Sequence, residues 1–215
     1  MDCIAHRGFP GVNPENTVAA VADAADRADG VEVDVRVCGS GELVVHHDET
    51  VDRTTDGSGP VSAHTAAELA ALSVEGSDFG VPTFEEVAAT IPDDVTLHAE
   101  LKERGTGEAV ERVVAETGCD AVVSSFDPQA LTEVEGVPTA LVQFEGEGLV
   151  SRARGLGCSF VHPNLGSCDA SLVERAHGAG MRVNAWTVTE PEETERLREA
   201  GVDGVITDFP ECCLS

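Results

Sequence analysis

Positive charge is what this chain has least of. Lys102 is its only lysine, and 13 Lys plus Arg stand against 40 Asp plus Glu, a formal net charge of −27. Binding to a nucleic-acid backbone needs a basic footprint, so that class of function is excluded. Long apolar runs are missing as well; none approaches the roughly 20 residues that cross a bilayer. The first strand-like segment, Cys3–His6, begins almost at the initiator Met, which leaves no room for a cleavable leader. A cytoplasmic protein without a membrane span is the resulting expectation. Paired C-x-x-C spacing is absent from the seven cysteines at 3, 38, 119, 158, 168, 212 and 213. Their odd number and their place beside apolar strand segments point to small buried hydrophobes rather than disulfides or zinc ligands. No internal repeat, low-complexity tract or second domain is visible, and residues 1–215 suit a single domain.

Acid, by contrast, is everywhere along the chain. A docking site for a basic partner would concentrate it in one block, so adaptation to solvent is the better reading. At molar salt the Debye length falls to about 3 Å, and such a surface no longer repels itself strongly. The composition therefore predicts a halophilic protein of a high-salt cytoplasm. A lone lysine in a chain that avoids lysine is itself a candidate for function.

Short β-rich runs alternate with Ala/Glu-rich helical runs, the pattern of a parallel sheet wrapped by helices. Strands are expected at Cys3–His6, Val31–Val37, Leu43–His47, Val95–Lys102, Ala121–Phe126, Pro138–Phe144, Ser159–His162, Arg182–Val188 and Val202–Thr207. Helices are expected at Thr17–Ala28, Thr83–Thr90, Glu108–Glu116, Pro128–Glu133, Gly148–Gly155, Ala170–Gly178 and Pro191–Glu199. Only residues 38–42 separate the second strand from the third. A parallel crossover needs about a dozen residues and a hairpin two to five, so Leu43–His47 must fold back antiparallel. Eight strands then remain, as a (β/α)8 TIM barrel requires. Residues 48–82, with a helical patch at Ala66–Leu72, read as a small insertion. A final helix after Thr207 is missing.

Side chains alternate along a strand, which sorts charge from apolar bulk. Glu32, Asp34 and Arg36 share one face of their strand; His98, Glu100 and Lys102 share one face of theirs. Pointed into the barrel, Glu32, Asp34 and Glu100 need a counter-charge. Arg36 and Lys102 could supply part of it, but three carboxylates toward a barrel mouth are better read as a shell for one hard divalent cation, Mg²⁺ or Ca²⁺. His6 and His47 end their strands at the rim, where they suit acid/base roles. Arg7 offers a planar fork for phosphate oxygens, and Gly8 leaves space for close approach. Asn184, Trp186 and Val188 share parity, and Trp186 is the single Trp. His162 also ends a strand at the rim, whereas His46 has the wrong parity to face inward. Asn16 reads as a helix N-cap, and Asp208 is placed to orient a catalytic group.

The ordered set His6-Arg7-Gly8, Pro14-Glu15-Asn16-Thr17, Glu32-x-Asp34, His47-Asp48, Arg53-Thr54-Thr55-x-Gly57-x-Gly59, Pro82–Val87, Glu100-Leu101-Lys102, Ser124-Ser125-Phe126, Trp186-Thr187-Val188 and Gly201–Asp208 strongly resembles the glycerophosphodiester phosphodiesterases. The resemblance runs from residue 5 to about 210. It implies Ca²⁺- or Mg²⁺-dependent hydrolysis of glycerophosphodiesters to glycerol phosphate and an alcohol, within lipid and glycerol metabolism. Under it, Glu32, Asp34 and Glu100 are the metal ligands and His6 and His47 the acid/base pair. Arg7 and Lys102 bind phosphate, and Trp186 lines the substrate groove. The chain departs from the family in its brevity at residues 48–82 and after 207, which bears on the choice of alcohol. Two alternatives make their own demands. A lysophospholipase D type of enzyme needs an exposed apolar or basic patch, which the sequence does not display. A non-catalytic phosphate-ligand binder would show a decayed motif position, and none is decayed.

Overall fold

In the computed structural model, which describes residues 1–213, the strand alternation becomes a closed barrel. Its eight parallel strands are β1 (Asp2–His6), β2 (Gly30–Val37), β4 (Thr96–Leu101), β5 (Ala121–Ser125), β6 (Thr139–Gln143), β7 (Phe160–Pro163), β8 (Arg182–Val188) and β9 (Gly204–Thr207). Each pairs with the next, and β1 pairs with both β2 and β9 to close the ring. The short strand β3 (Leu43–Val45) lies antiparallel on the end of β2, with Val35 opposite Val45 and Val37 opposite Leu43. Because β1 occupies the same edge of β2 only at Gly30–Glu32, the hairpin rises above the barrel rim.

Seven helices cover the strands: α1 (Val18–Ala25), α3 (Phe84–Ala88), α4 (Gly107–Thr117), α5 (Pro128–Leu131), α6 (Leu149–Leu156), α7 (Ala170–Gly178) and α8 (Pro191–Ala200). Local chemistry sets their ends. Thr83 caps α3 by accepting from the Glu86 amide, while the Glu86 carboxylate accepts from the Thr83 amide. Gly118 ends α4 at φ +75, a conformation that costs glycine little. As the alternation predicts, Val31, Val33 and Val35 of β2 and Leu97, Ala99 and Leu101 of β4 are buried outward, against Val21 of α1 and Phe84 and Val87 of α3. A second cluster, including Leu141, Val161, Leu172 and Leu197, seals the other half of the barrel.

Residues 48–82 contain α2 (Ala66–Ala70) and build a small core of their own. Val51, Val61, Leu69, Val74 and Val81 pack there against Cys38 and Val44 of the hairpin. Among the described residues, β9 is followed by a short 3-10 turn, Pro210–Cys212. The Thr194 hydroxyl of α8 donates to the Cys212 carbonyl at 3.0 Å. The tail then runs back along the outside of β1, where Cys213 forms a disulfide with Cys3. This corrects the expectation that all seven cysteines are unpaired. Sequence spacing could not reveal a pair 210 positions apart. The other five are free, four of them buried as expected.

Candidate active site

The barrel register stacks the charged side chains in two levels. His6, Glu32 and His98 lie side by side across β1, β2 and β4; Asp34, Glu100 and Ser124 lie side by side one level nearer the rim. Glu32, Asp34 and Glu100 thereby bring one carboxylate oxygen each within 4.8 Å of the others, all buried toward the barrel axis. Two cations attend them. Lys102 Nζ lies 2.8 Å from Asp34 Oδ1 and pairs with Glu100; Arg7 Nε lies 2.9 Å from Asp34 Oδ2. The Asp34 contacts are ion pairs with poor hydrogen-bond angles, so Asp34 Oδ1 and Arg7 Nε keep unused hydrogen-bonding capacity.

The charges do not balance among themselves. Burial, then Asp34, push the Glu32 carboxyl up to about 7, against the pull of His6. Burial likewise raises Glu100, although Lys102 opposes it. At Asp34 burial also acts upward, but Lys102 and Arg7 outweigh it and hold this carboxyl well below the usual range. Burial disfavours the charged forms of Arg7 and Lys102, yet Asp34 and its neighbours win and raise both. Three carboxylates share two cations, so the cluster is still short of positive charge. An all-oxygen trio at this spacing suits a hard divalent cation, and the residues fit one.

Each rim histidine has a carboxylate of its own. His6 Nδ1 donates to Asp208 Oδ1 at 2.6 Å, with its Nε2 3.9 Å from Glu32. His47 Nδ1 donates to Asp48 Oδ1 at 2.6 Å. Such pairing fixes the ring and leaves Nε2 for proton transfer. Burial lowers both imidazoles. At His6 the Asp208 hydrogen bond and Glu32 reverse the sign and raise it; at His47 burial prevails, aided by Arg7 and Lys102, and it stays lowered. Behind His47, Arg53 clamps Asp48 and grips both oxygens of Glu15, at 3.0 and 2.7 Å. Glu15 accepts also from Arg7 at 3.2 Å.

Several assignments change here. Asn16 is not the cap; Thr17 caps α1, and Asn16, at φ +59, donates to Asp34 Oδ2 at 2.8 Å. Arg36 does not neutralise the acids but donates to the His47 carbonyl at 2.9 Å, holding the hairpin. Gly8 is needed for contact with α1, since a Cβ there would lie 2.8 Å from Ala20 Cβ. His162 is fully buried below the rim, beside Asn184 and His98. His46 keeps its expected place, bonding Thr50 away from the cavity. Glu15 and Arg53 were not singled out by sequence reasoning, and only their place in the ordered motifs could have flagged them.

His6, Arg7, His47, Glu100, Lys102 and Trp186 line one cavity of about 370 Å³ at the mouth; Glu32 lines a smaller one beneath it. The Trp186 indole donates to the His162 carbonyl at 2.7 Å. Phe126 and Phe144 lean on Trp186 and stay exposed, an apolar patch that the sequence did not display. A larger depression of about 710 Å³ along α6 and α7 shares no lining residue with the charged cluster.

The chain as a whole is similar to known proteins. The model of the glycerophosphoryl diester phosphodiesterase family matches residues 6–212. A glycerophosphodiester phosphodiesterase of Caldanaerobacter subterraneus is 36% identical, over 99% of this chain and 96% of its own. An Oleispira antarctica phosphodiesterase, solved with the product sn-glycerol-3-phosphate, superposes with a TM-score of 0.90 at 28% identity, covering 98% of this chain and 94% of its own. The glycerophosphodiester phosphodiesterase of Thermotoga maritima gives 0.84 at 30% identity, covering 97% and 95%. With a match across nearly all of its length, the chain belongs to the glycerophosphoryl diester phosphodiesterase family.

Proposed function

We propose that the chain hydrolyses glycerophosphodiesters to glycerol phosphate and an alcohol, with one divalent cation and a histidine pair. The observation that carries this reading is the trio Glu32, Asp34 and Glu100, of which Glu100 lines the cavity that His6 and His47 also line and Glu32 the smaller one beneath it. The sn-glycerol-3-phosphate held by the Oleispira antarctica phosphodiesterase agrees with that substrate class. Bound by the trio, Mg²⁺ or Ca²⁺ supplies polarisation of the phosphoryl oxygens and a lowered pKa for the attacking hydroxyl.

Arg7 and Lys102 bind the phosphate oxygens, and Trp186 lines the groove beside them. One imidazole Nε2 takes the proton of the attacking hydroxyl as the new P–O bond forms. The other gives a proton to the departing alkoxide as the ester P–O bond breaks. Either water or the diester's own glycerol 2-OH can attack; the second route passes through a cyclic phosphate that water then opens. Asp208 and Asp48 hold the two rings in place for these transfers.

In this reading residues 1–215 act as one catalytic domain, with 48–82 a small insertion beside the mouth. The acidic composition supports a high-salt cytoplasm and a role in lipid and glycerol metabolism follows from the substrate, while the Cys3–Cys213 bond pulls toward an oxidising compartment. No helix among the described residues is long and apolar enough to cross a membrane. The test is phosphate-ester release from glycerophosphocholine and glycerophosphoglycerol in molar salt. EDTA is expected to abolish it, and Mg²⁺ or Ca²⁺ to restore it. Full activity after exhaustive chelation overturns the metal's role, and no release under any condition overturns the activity.

A further inference from the structure

The chain contains seven Phe, one Trp and no Tyr, yet three of these rings meet at the cavity mouth. Phe126 and Phe144 are 40% and 64% exposed, whereas Phe9 and Phe84 are wholly buried. Leaving two phenyl rings in water beside a charged cavity is unfavourable unless something covers them. Trp186 fixes the group through its bond to the His162 carbonyl. Ring centroids are 5.2 Å apart for Phe126 and Phe144, 5.3 Å for Phe126 and Trp186 and 4.9 Å for Phe144 and Trp186. At that spacing the rings touch one another. They form a continuous apolar wall, not a cage around an empty centre.

The wall lines the same cavity as His6, Arg7, His47 and Lys102. Phosphate belongs on the cationic side, so the wall meets a part of the diester that charge does not fix. A polyol pressed against it surrenders hydrogen bonds to water and regains none. A methyl-rich or alkyl group loses nothing and buries carbon. The cavity, about 370 Å³, suits a compact group rather than a long chain. We propose that Phe126, Phe144 and Trp186 form the binding surface for the alcohol half of the diester and select a compact apolar body over a polyol. This inference rests on the diesterase reading above. Two kinds of alcohol offer such a body: one ending in trimethylammonium, which adds cation–π attraction, and an uncharged branched alkyl alcohol.

The experiment compares kcat/KM for four glycerol phosphate diesters, those of choline, 3,3-dimethylbutanol, ethanolamine and glycerol. Molar KCl screens the long-range field of the acidic surface. The choline and dimethylbutyl diesters are expected to exceed the other two by about tenfold, the lower end of discrimination by apolar contact. Phe126→Ala and Phe144→Ala should each shrink that preference to below about threefold, and Phe144→Leu should keep it for the dimethylbutyl diester. Choline ahead of dimethylbutyl assigns part of the preference to cation–π attraction, and parity assigns all of it to carbon contact; both support the wall. Equal kcat/KM across the four in the wild type overturns it, as do ring variants that slow all four in proportion. Thermal melts confirm that the variants are folded, and the wild-type series needs no variant. Cleavage of none of the four sinks the diesterase reading itself, whereas uniform cleavage sinks only the selectivity.

Discussion

His6 and His47 come from different parts of the chain, yet each meets an aspartate through Nδ1 at the same 2.6 Å. Replacing either by Ala is expected to lower kcat by about 100- to 10,000-fold, the range for a lost acid or base. With a nitrophenol leaving group, which needs no proton, one variant should recover far more than the other; equal behaviour would remove the division of labour. A third histidine bears on stability. Burial, reinforced by His98, holds the His162 imidazole well below its ordinary value. The unfolded chain therefore binds a proton below about pH 6.5 that the folded chain refuses. Stability from this group is complete above that pH and is lost as pH falls, by up to about 1.4 kcal/mol per pH unit. Urea titrations between pH 7 and 5 should show a flatter acid slope for His162→Gln than for wild type, and parallel slopes would refute the assignment. Strand parity alone made Glu32, Asp34, Glu100 and Lys102 legible as one cluster. Asn16 was not legible: Asn and Thr both cap well, and only the backbone turn at φ +59 sends its amide to Asp34.

Connection length made the hairpin legible, because five residues between β2 and β3 cannot carry a parallel crossover. The strand itself stops at Val45, and His47 stands beyond the ladder, held by Arg36. Element ends elsewhere moved by a few residues, as fraying termini do. What spacing could not show is how residues 48–82 grip the barrel. Arg53, from residues 48–82, joins Glu15 of the β1–α1 loop to Asp48 beside His47. Losing this clamp should loosen His47 without unfolding the barrel. We expect Arg53→Ala to lower kcat by about tenfold at an unchanged melting temperature, the scale of a lost supporting contact. Lysine, which cannot grip both Glu15 oxygens at once, should rescue only partly. Wild-type kcat in Arg53→Ala would detach the clamp from catalysis.

Across the whole molecule the field is set by −27 charges, which repel one another most in dilute buffer. The melting temperature should climb steeply as KCl rises from dilute to molar, and a flat response would remove the high-salt reading. The Cys3–Cys213 bond was not legible in the sequence, since two cysteines 210 positions apart carry no spacing signal. That bond gives the backbone the topology of a nearly closed loop. A protease that cuts once between Cys3 and Cys213 opens the loop but parts nothing, so the nicked protein should migrate as one band until reductant releases two.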